Sequence, residues 1–234
     1  MITKYRPITV ITELQVPQGL ELDAEQWAGC FQPLVHAEGH RGTFWGRSQK
    51  EPGVVLLVTL WGHPDELRDF QNSPCAQLFR ESLLAANAIQ LSYHEALMDE
   101  YWFPSLERAF VQFYWVYLPA AMTPEQETRL SEFHGLKTPA LGPSIPASRS
   151  RSTRLPKKIW ATQTELWRGQ EARLMLWAHF WRDEKAADFR FLEEDLVTHQ
   201  NKTEVLFEVL VEAGALEWRE DFYQFHEVPR LRTL

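Results

Sequence analysis

"GVVLLVTLW", Gly53–Trp61, and "ARLMLWAHFW", Ala172–Trp181, are two versions of one strand, each apolar and each ending in tryptophan. Successive side chains of a β-strand point to opposite faces. Val55, Leu57, Thr59 and Trp61 therefore share one face of the first version, and Met175, Trp177, His179 and Trp181 share the matching face of the second. Outward from both, hydrophobic periodicity gives the same order of elements twice: strand, helix, strand, strand, helix, strand.

In the first copy "ITVITELQV" alternates as a half-buried strand and stops at Pro17 and Gly19. "LDAEQWAGCFQPLVHAEG" reads as a helix with Asp23 as N-cap and Pro33 as a kink or early end. "GTFWGRSQ" and "VVLLVTLW", joined at Glu51-Pro52-Gly53, form a hairpin; a helix from about Pro64 through Ala86 and the strand "IQLSYHEAL" complete the unit. The second copy opens with "AFVQFYWVYLP" and a helix started by Thr123, Pro124 and Gln126. "KIWATQTELW", "ARLMLWAHFW", a long helical stretch over about 183–212 that breaks once, and "DFYQFHEV" follow. Matching landmarks drift apart by 102 at Pro17/Pro119, 115 at Trp45/Trp160, 120 at Trp61/Trp181 and 132 at His94/His226, so insertions lie in loops and in the second helical stretch. The boundary falls after residue 104, giving units 1–104 and 105–234, the second with an inserted Pro/Ser/Arg loop at about 137–158. A β-α-β-β-α-β unit is ferredoxin-like, with one sheet face left bare for a second unit to cover. The expected fold is α+β: two tandem units packed sheet to sheet as an intrachain barrel.

A chain of 234 residues, 44% hydrophobic and carrying a formal charge of -8, can bury a sizeable core and repels nucleic acid and anionic membranes. The basic run "SRSRSTRLPKK" sits in a Pro/Ser-rich segment and reads as a solvated loop. The opening "MITKYRPITV" has no signal-type apolar stretch and no run reaches membrane-spanning length, so a cytoplasmic, soluble protein is expected. Cys30 and Cys75 are expected to be free thiols. Ten tryptophans are an excess that either fills a core or lines a pocket for a flat apolar ligand.

The stretch "GHRGTFWGRSQKEPGVVLLVTLWGHPDELRDFQNSP" resembles the antibiotic-biosynthesis monooxygenase-like branch of the dimeric α+β barrel superfamily, well over Gly39–Leu84 and weakly in the second half. The resemblance implies that two halves build within one chain the barrel that relatives form as homodimers, with a pocket between sheet and helices. It also implies cofactor-free oxygenation, cyclisation or isomerisation of aromatic polyketides, or haem degradation. The haem-degrading pattern of Asn, Trp and ligand His falls here on Thr12, Trp61 and Arg80, which disfavours haem in the first half; His199 lies on the matching helix of the second.

Several residues are candidates. His179 between Trp177 and Trp181 would be desolvated and held neutral, ready to accept a proton; the alternative is a core histidine bonded to a neighbour. Trp177, Trp181 and Trp61 would clamp a ring. Arg47 or Tyr114 would steady an oxyanion, an exposed ion pair being the plainer reading of Arg47. His94 and His226, at equivalent places in the two fourth strands, are further substrate contacts or structural residues satisfied by backbone, and Glu165 is a polar handle in the pocket or an exposed strand-edge residue. His36 and His40 have zinc-compatible spacing, but Gly39 ends the helix between them and no third ligand follows, so no metal is expected. These readings converge on a cofactor-independent tailoring enzyme of secondary metabolism acting on an aromatic polyketide-like substrate, as monooxygenase or cyclase/isomerase, with molecular oxygen as a possible co-substrate. The alternative is a non-catalytic carrier of an apolar metabolite. The expected assembly is a monomeric pseudo-dimer or a homodimer.

Overall fold

The computed structural model describes residues 7–22, 25–97, 103–136, 156–188 and 202–230. Residues 137–155 of the inserted loop, and His199, lie outside the described residues. The chain divides into two compact units, residues 1–103 with 224–234 and residues 104–223. The sequence boundary at 104 thus misses one feature: the last residues of the chain return to the first unit.

The first unit runs β1 (Ile8–Gln15), α1 (Glu25–Cys30), α2 (Gln32–Val35), β2 (His40–Ser48), β3 (Val54–Trp61), α3 (Pro64–Gln71), α4 (Pro74–Ala85) and β4 (Ile89–Leu97). Its strands lie in the order β4-β1-β3-β2, the ferredoxin-like arrangement, with Ile8 opposite Trp61 and Thr43 opposite Thr59. Both helical stretches are split. Pro33 opens α2 as a second short helix, because its ring cannot continue the hydrogen-bond ladder of α1. The single helix expected over 64–86 is two, because Ser73 accepts a bond from the Ala76 N–H and Pro74 takes the first helical position, which restarts the helix. Trp27, Phe31, Leu34, Leu67 and Leu83 from these helices pack on Val10, Leu14, Val55, Leu57 and Trp61 of the sheet, and Val228 near the chain's end joins them.

The second unit runs α5 (Ser105–Arg108), β5 (Phe110–Pro119), α6 (Pro124–Glu132), β6 (Lys157–Trp167), β7 (Gln170–Trp181), α7 (Glu184–Asp188), α8 (Lys202–Glu212) and β8 (Glu217–Glu227), whose last four residues count with the first unit. Its order β8-β5-β7-β6 repeats the first, with Phe110 opposite Trp181. Thr123 and Gln126 form the reciprocal capping box read from the sequence. The two last helices also end alike: Ala88 N–H bonds the Leu83 carbonyl after Asn87 at φ 55°, and Ala215 N–H bonds the Leu210 carbonyl after Gly214 at φ 77°. These registers align the units residue by residue. Cys30 and Cys75 are free thiols. Among the described residues no helix is long and apolar enough to cross a membrane.

Candidate functional site

Between the sheet and the helices of the first unit lies a cavity of about 130 Å³. Val10 and Thr12 of β1, Leu57, Thr59 and Trp61 of β3, and Gln90 and Tyr93 of β4 form its floor, while Leu34, Phe70, Gln71, Phe79, Arg80 and Leu83 close it from the helices. Most of the wall is apolar, with polar groups at a few points, which is the composition of a small-molecule site. Arg80, Gln90 and Tyr93 are exposed, so the cavity meets solvent on their side. Arg80 is the one cation among the lining residues. The Tyr93 hydroxyl accepts from Gln71 Nε2 at 2.6 Å and donates to Glu95 Oε1 at 3.2 Å. Partial desolvation of its hydroxyl first, and the Glu95 carboxylate second, hold the Tyr93 phenol above its ordinary range and therefore protonated.

Beneath Thr59 the polar side chains continue into the protein. Thr59 Oγ1 lies 3.1 Å from Thr43 Oγ1 across the hairpin, and Thr43 Oγ1 lies 2.8 Å from Nε2 of His40. All three residues are buried. Desolvation, with the charges of Arg230 and His36, lowers the His40 pKa to about 4, so the ring is neutral at ordinary pH.

The second unit writes larger residues at the same wall positions. Val10, Thr12, Leu57 and Thr59 are answered by Gln112, Tyr114, Trp177 and His179, and Arg80 by Phe207. These side chains occupy each other's space: Tyr114 stands edge-on to His179 with ring centroids 5.5 Å apart and contacts Phe207 at 6.4 Å, and Trp177 lies 5.7 Å from His179. Gln112 ties them together, accepting from Trp181 Nε1 at 2.9 Å and donating to Tyr114 Oη and Glu220 Oε2. His179 is wholly buried; its Nε2 accepts from the Leu136 N–H at 3.1 Å, and burial lowers its pKa to about 3. Lys158 reaches over Trp177 and donates to the Phe133 carbonyl at 2.7 Å.

Residues 7–82 match the family described as Antibiotic biosynthesis monooxygenase. The matched stretch runs from β1 through most of α4 of the first unit. No curated protein matches the sequence. Among solved structures, an anthrone oxidase-like protein aligns over 99% of this chain and 98% of its own with a TM-score of 0.57 at 12% identity. A candidate monooxygenase of Fusobacterium nucleatum aligns over 95% and 94% with a TM-score of 0.50 at 9% identity. At these identities the likeness extends to the fold, through both units.

This cavity lies in the first unit, whereas the aromatic strand face singled out in the sequence lies in the second. The bulky Trp177–His179 face that suggested a pocket packs against Tyr114, Phe133 and Phe207 instead. Of the candidate residues, Trp61 alone lines this cavity. His179, Tyr114, Trp177 and Trp181 are brought together, but as one buried cluster. Arg47 is not beside them: its guanidinium donates to the carbonyls of Leu20 and Pro52 within the first unit. His226 is exposed and stacks on Trp45 at 4.7 Å, His94 and Glu165 are half-buried, and none of the three is among the cavity residues. Among the described residues no three His, Cys, Asp or Glu side chains gather as a metal site. Arg80 lines the cavity with a guanidinium, which has no lone pair to offer a metal ion. Thr12, Thr59, Arg80 and Tyr93 were missed as site residues. Thr59 stands on the strand face matched to that of His179, and smallness at a wall position was the signal that could have found it.

Proposed function

We propose that the cavity of the first unit binds a planar hydroxyaromatic or anthrone-like compound and that the protein is a cofactor-independent monooxygenase acting on it. The observation that carries this reading is the cavity itself: an apolar slot between Trp61, Phe70 and Phe79 with a cation, Arg80, and the hydroxyls of Thr12, Thr59 and Tyr93 on its wall. A volume of about 130 Å³ is close to that of cavities which accept a single benzene ring, at about 150 Å³, so a larger compound would insert one ring and extend past Arg80, Gln90 and Tyr93. Deprotonation of such a compound gives a phenolate or enolate, whose electrons can pass to molecular oxygen. Arg80 supplies the charge that stabilises this anion, and the apolar wall strengthens the interaction by excluding water. The family match over residues 7–82 and the fold shared with an anthrone oxidase-like protein support the choice of reaction and substrate class.

Tryptophan fluorescence titrated with anthrone, beside an oxygen electrode, tests the reading. Quenching with oxygen uptake that Arg80→Gln reduces by about 100-fold, the loss typical of one electrostatic contact to a developing anion, is the expected result. Quenching without uptake would favour the cyclase or carrier alternative, and absence of quenching would remove the aromatic-ligand reading altogether.

A further inference from the structure

The three side chains beneath the cavity floor form a continuous path from the ligand space to a buried base. Thr59 lines the cavity; its Oγ1 is 3.1 Å from Thr43 Oγ1, which is 2.8 Å from His40 Nε2. Both contacts have hydrogen-bond geometry, and a hydroxyl can donate and accept at once, so the path conducts a proton without moving a heavy atom. The ring is fixed in place: His40 stands edge-on to Trp61 at 5.8 Å, and its carbonyl accepts from Arg230 Nη2 at 3.4 Å. Its Nδ1 is buried and has no hydrogen-bond partner among the described residues. Nε2 is thus the nitrogen through which the ring communicates. The second unit has no counterpart, because Thr59 is replaced by His179 itself.

We propose that Thr59, Thr43 and His40 are a proton relay that deprotonates the compound bound in the cavity of the first unit. This rests on the aromatic-ligand reading above. In the resting state the imidazole carries its one proton on Nδ1, and the Thr43 hydroxyl donates to Nε2 while the Thr59 hydroxyl donates to Thr43. The acidic C–H or O–H of the ligand breaks, and its electron pair stays on the ligand as enolate or phenolate. The released proton bonds to Thr59 Oγ1 as the Thr59 proton passes to Thr43 Oγ1 and the Thr43 proton passes to Nε2. His40 becomes an imidazolium, and the reverse sequence returns the proton when a product anion is reprotonated. The groups that bear on His40 electrostatically, Arg230 and His36, both oppose its positive charge. The imidazolium is therefore short-lived, and the base is reloaded across the neutral range. His40 and Thr43 are positioning residues in this scheme, since only Thr59 faces the ligand.

The test uses the full chain, under nitrogen in D₂O, with anthrone as the probe: loss of its methylene proton signal by NMR measures deprotonation independently of oxygen. Wild type is expected to accelerate the exchange over buffer, and Thr43→Val and His40→Gln to lose that acceleration by at least about tenfold, at the low end for a proton-transfer group. Their anthrone Kd, read by tryptophan quenching, should stay within about twofold of wild type, since neither residue lines the cavity. Thr59→Ser, which keeps the hydroxyl, should retain the exchange. Anthrone bound with no acceleration in wild type, or full acceleration in Thr43→Val, overturns the relay. Relay-dependent exchange without oxygen uptake in air keeps the relay and overturns the oxygenase reading; failure of anthrone to bind overturns both.

Discussion

His40 and His179 are neutral imidazoles for the same reason, burial, and both leave a signature in acid. Their folded pKa values, about 4 and about 3, lie below the ordinary 6.5, so the unfolded chain binds protons that the folded chain refuses. Stability is therefore complete above pH 6.5 and is lost as pH falls through the window down to 4 and 3. At pH 5 each buried histidine contributes roughly 2 kcal/mol of that loss. Urea unfolding at pH 7 and pH 5 should show His40→Gln losing about 2 kcal/mol less than wild type between the two values; equal losses would mean that His40 is solvated. Gly135 is a second sensitive residue. It has φ +91°, and a Cβ there would lie 2.8 Å from His179 Nε2. Gly135→Ala is expected to lower stability by about 2 kcal/mol, measured by the same denaturation. Both residues show the limit of reading at this scale. The sequence offered His40 only a spacing to His36, which Gly39 interrupts, whereas its partner is Thr43 on its own strand, bonded in turn to Thr59 across the hairpin, which only strand register brings together.

The elements themselves were largely legible, because alternation marks a strand wherever one face is buried. β1, β3, β4 and the Thr123 capping box stand where the periodicity put them. Thr123→Ala should cost about 1 kcal/mol in thermal or urea unfolding, the usual value of an N-cap. The helices were less legible, since an apolar period runs through a break as easily as through a turn. Only the local chemistry of Pro33 and Ser73-Pro74 decides where the axis stops. The cavity of the first unit was not legible for a related reason. Aromatic side chains on a strand face announce volume, but whether that volume surrounds a space or fills one depends on the facing helix. Writing the second unit's residue into the first tests this: Leu57→Trp should fold and lose anthrone quenching, because the indole occupies the ligand space. Retained quenching would show that anthrone binds elsewhere.

At the scale of the molecule the tandem repeat was readable from landmark spacing, and the same strand order recurs in both units. The discontinuity of the first unit was not, since a repeat read in sequence assigns each strand wholly to its own half. Residues 224–230 complete that unit through Phe225 and Val228, both buried, through Val228 N–H to the Thr43 carbonyl at 2.9 Å, and through His226 on Trp45. A chain ended after Tyr223 is expected to lose the first unit's near-ultraviolet tryptophan signal and its anthrone binding together; a truncated chain that still binds anthrone would show the segment to be dispensable.

That returning segment also sets a timetable. Domains generally fold in the order in which they leave the ribosome, the amino-terminal one first. Here the carbonyl of Thr43, the middle residue of the proposed relay, waits for an amide encoded some 185 codons later. The unit that starts first is therefore finished last, because the residues that complete it follow the whole of the second unit.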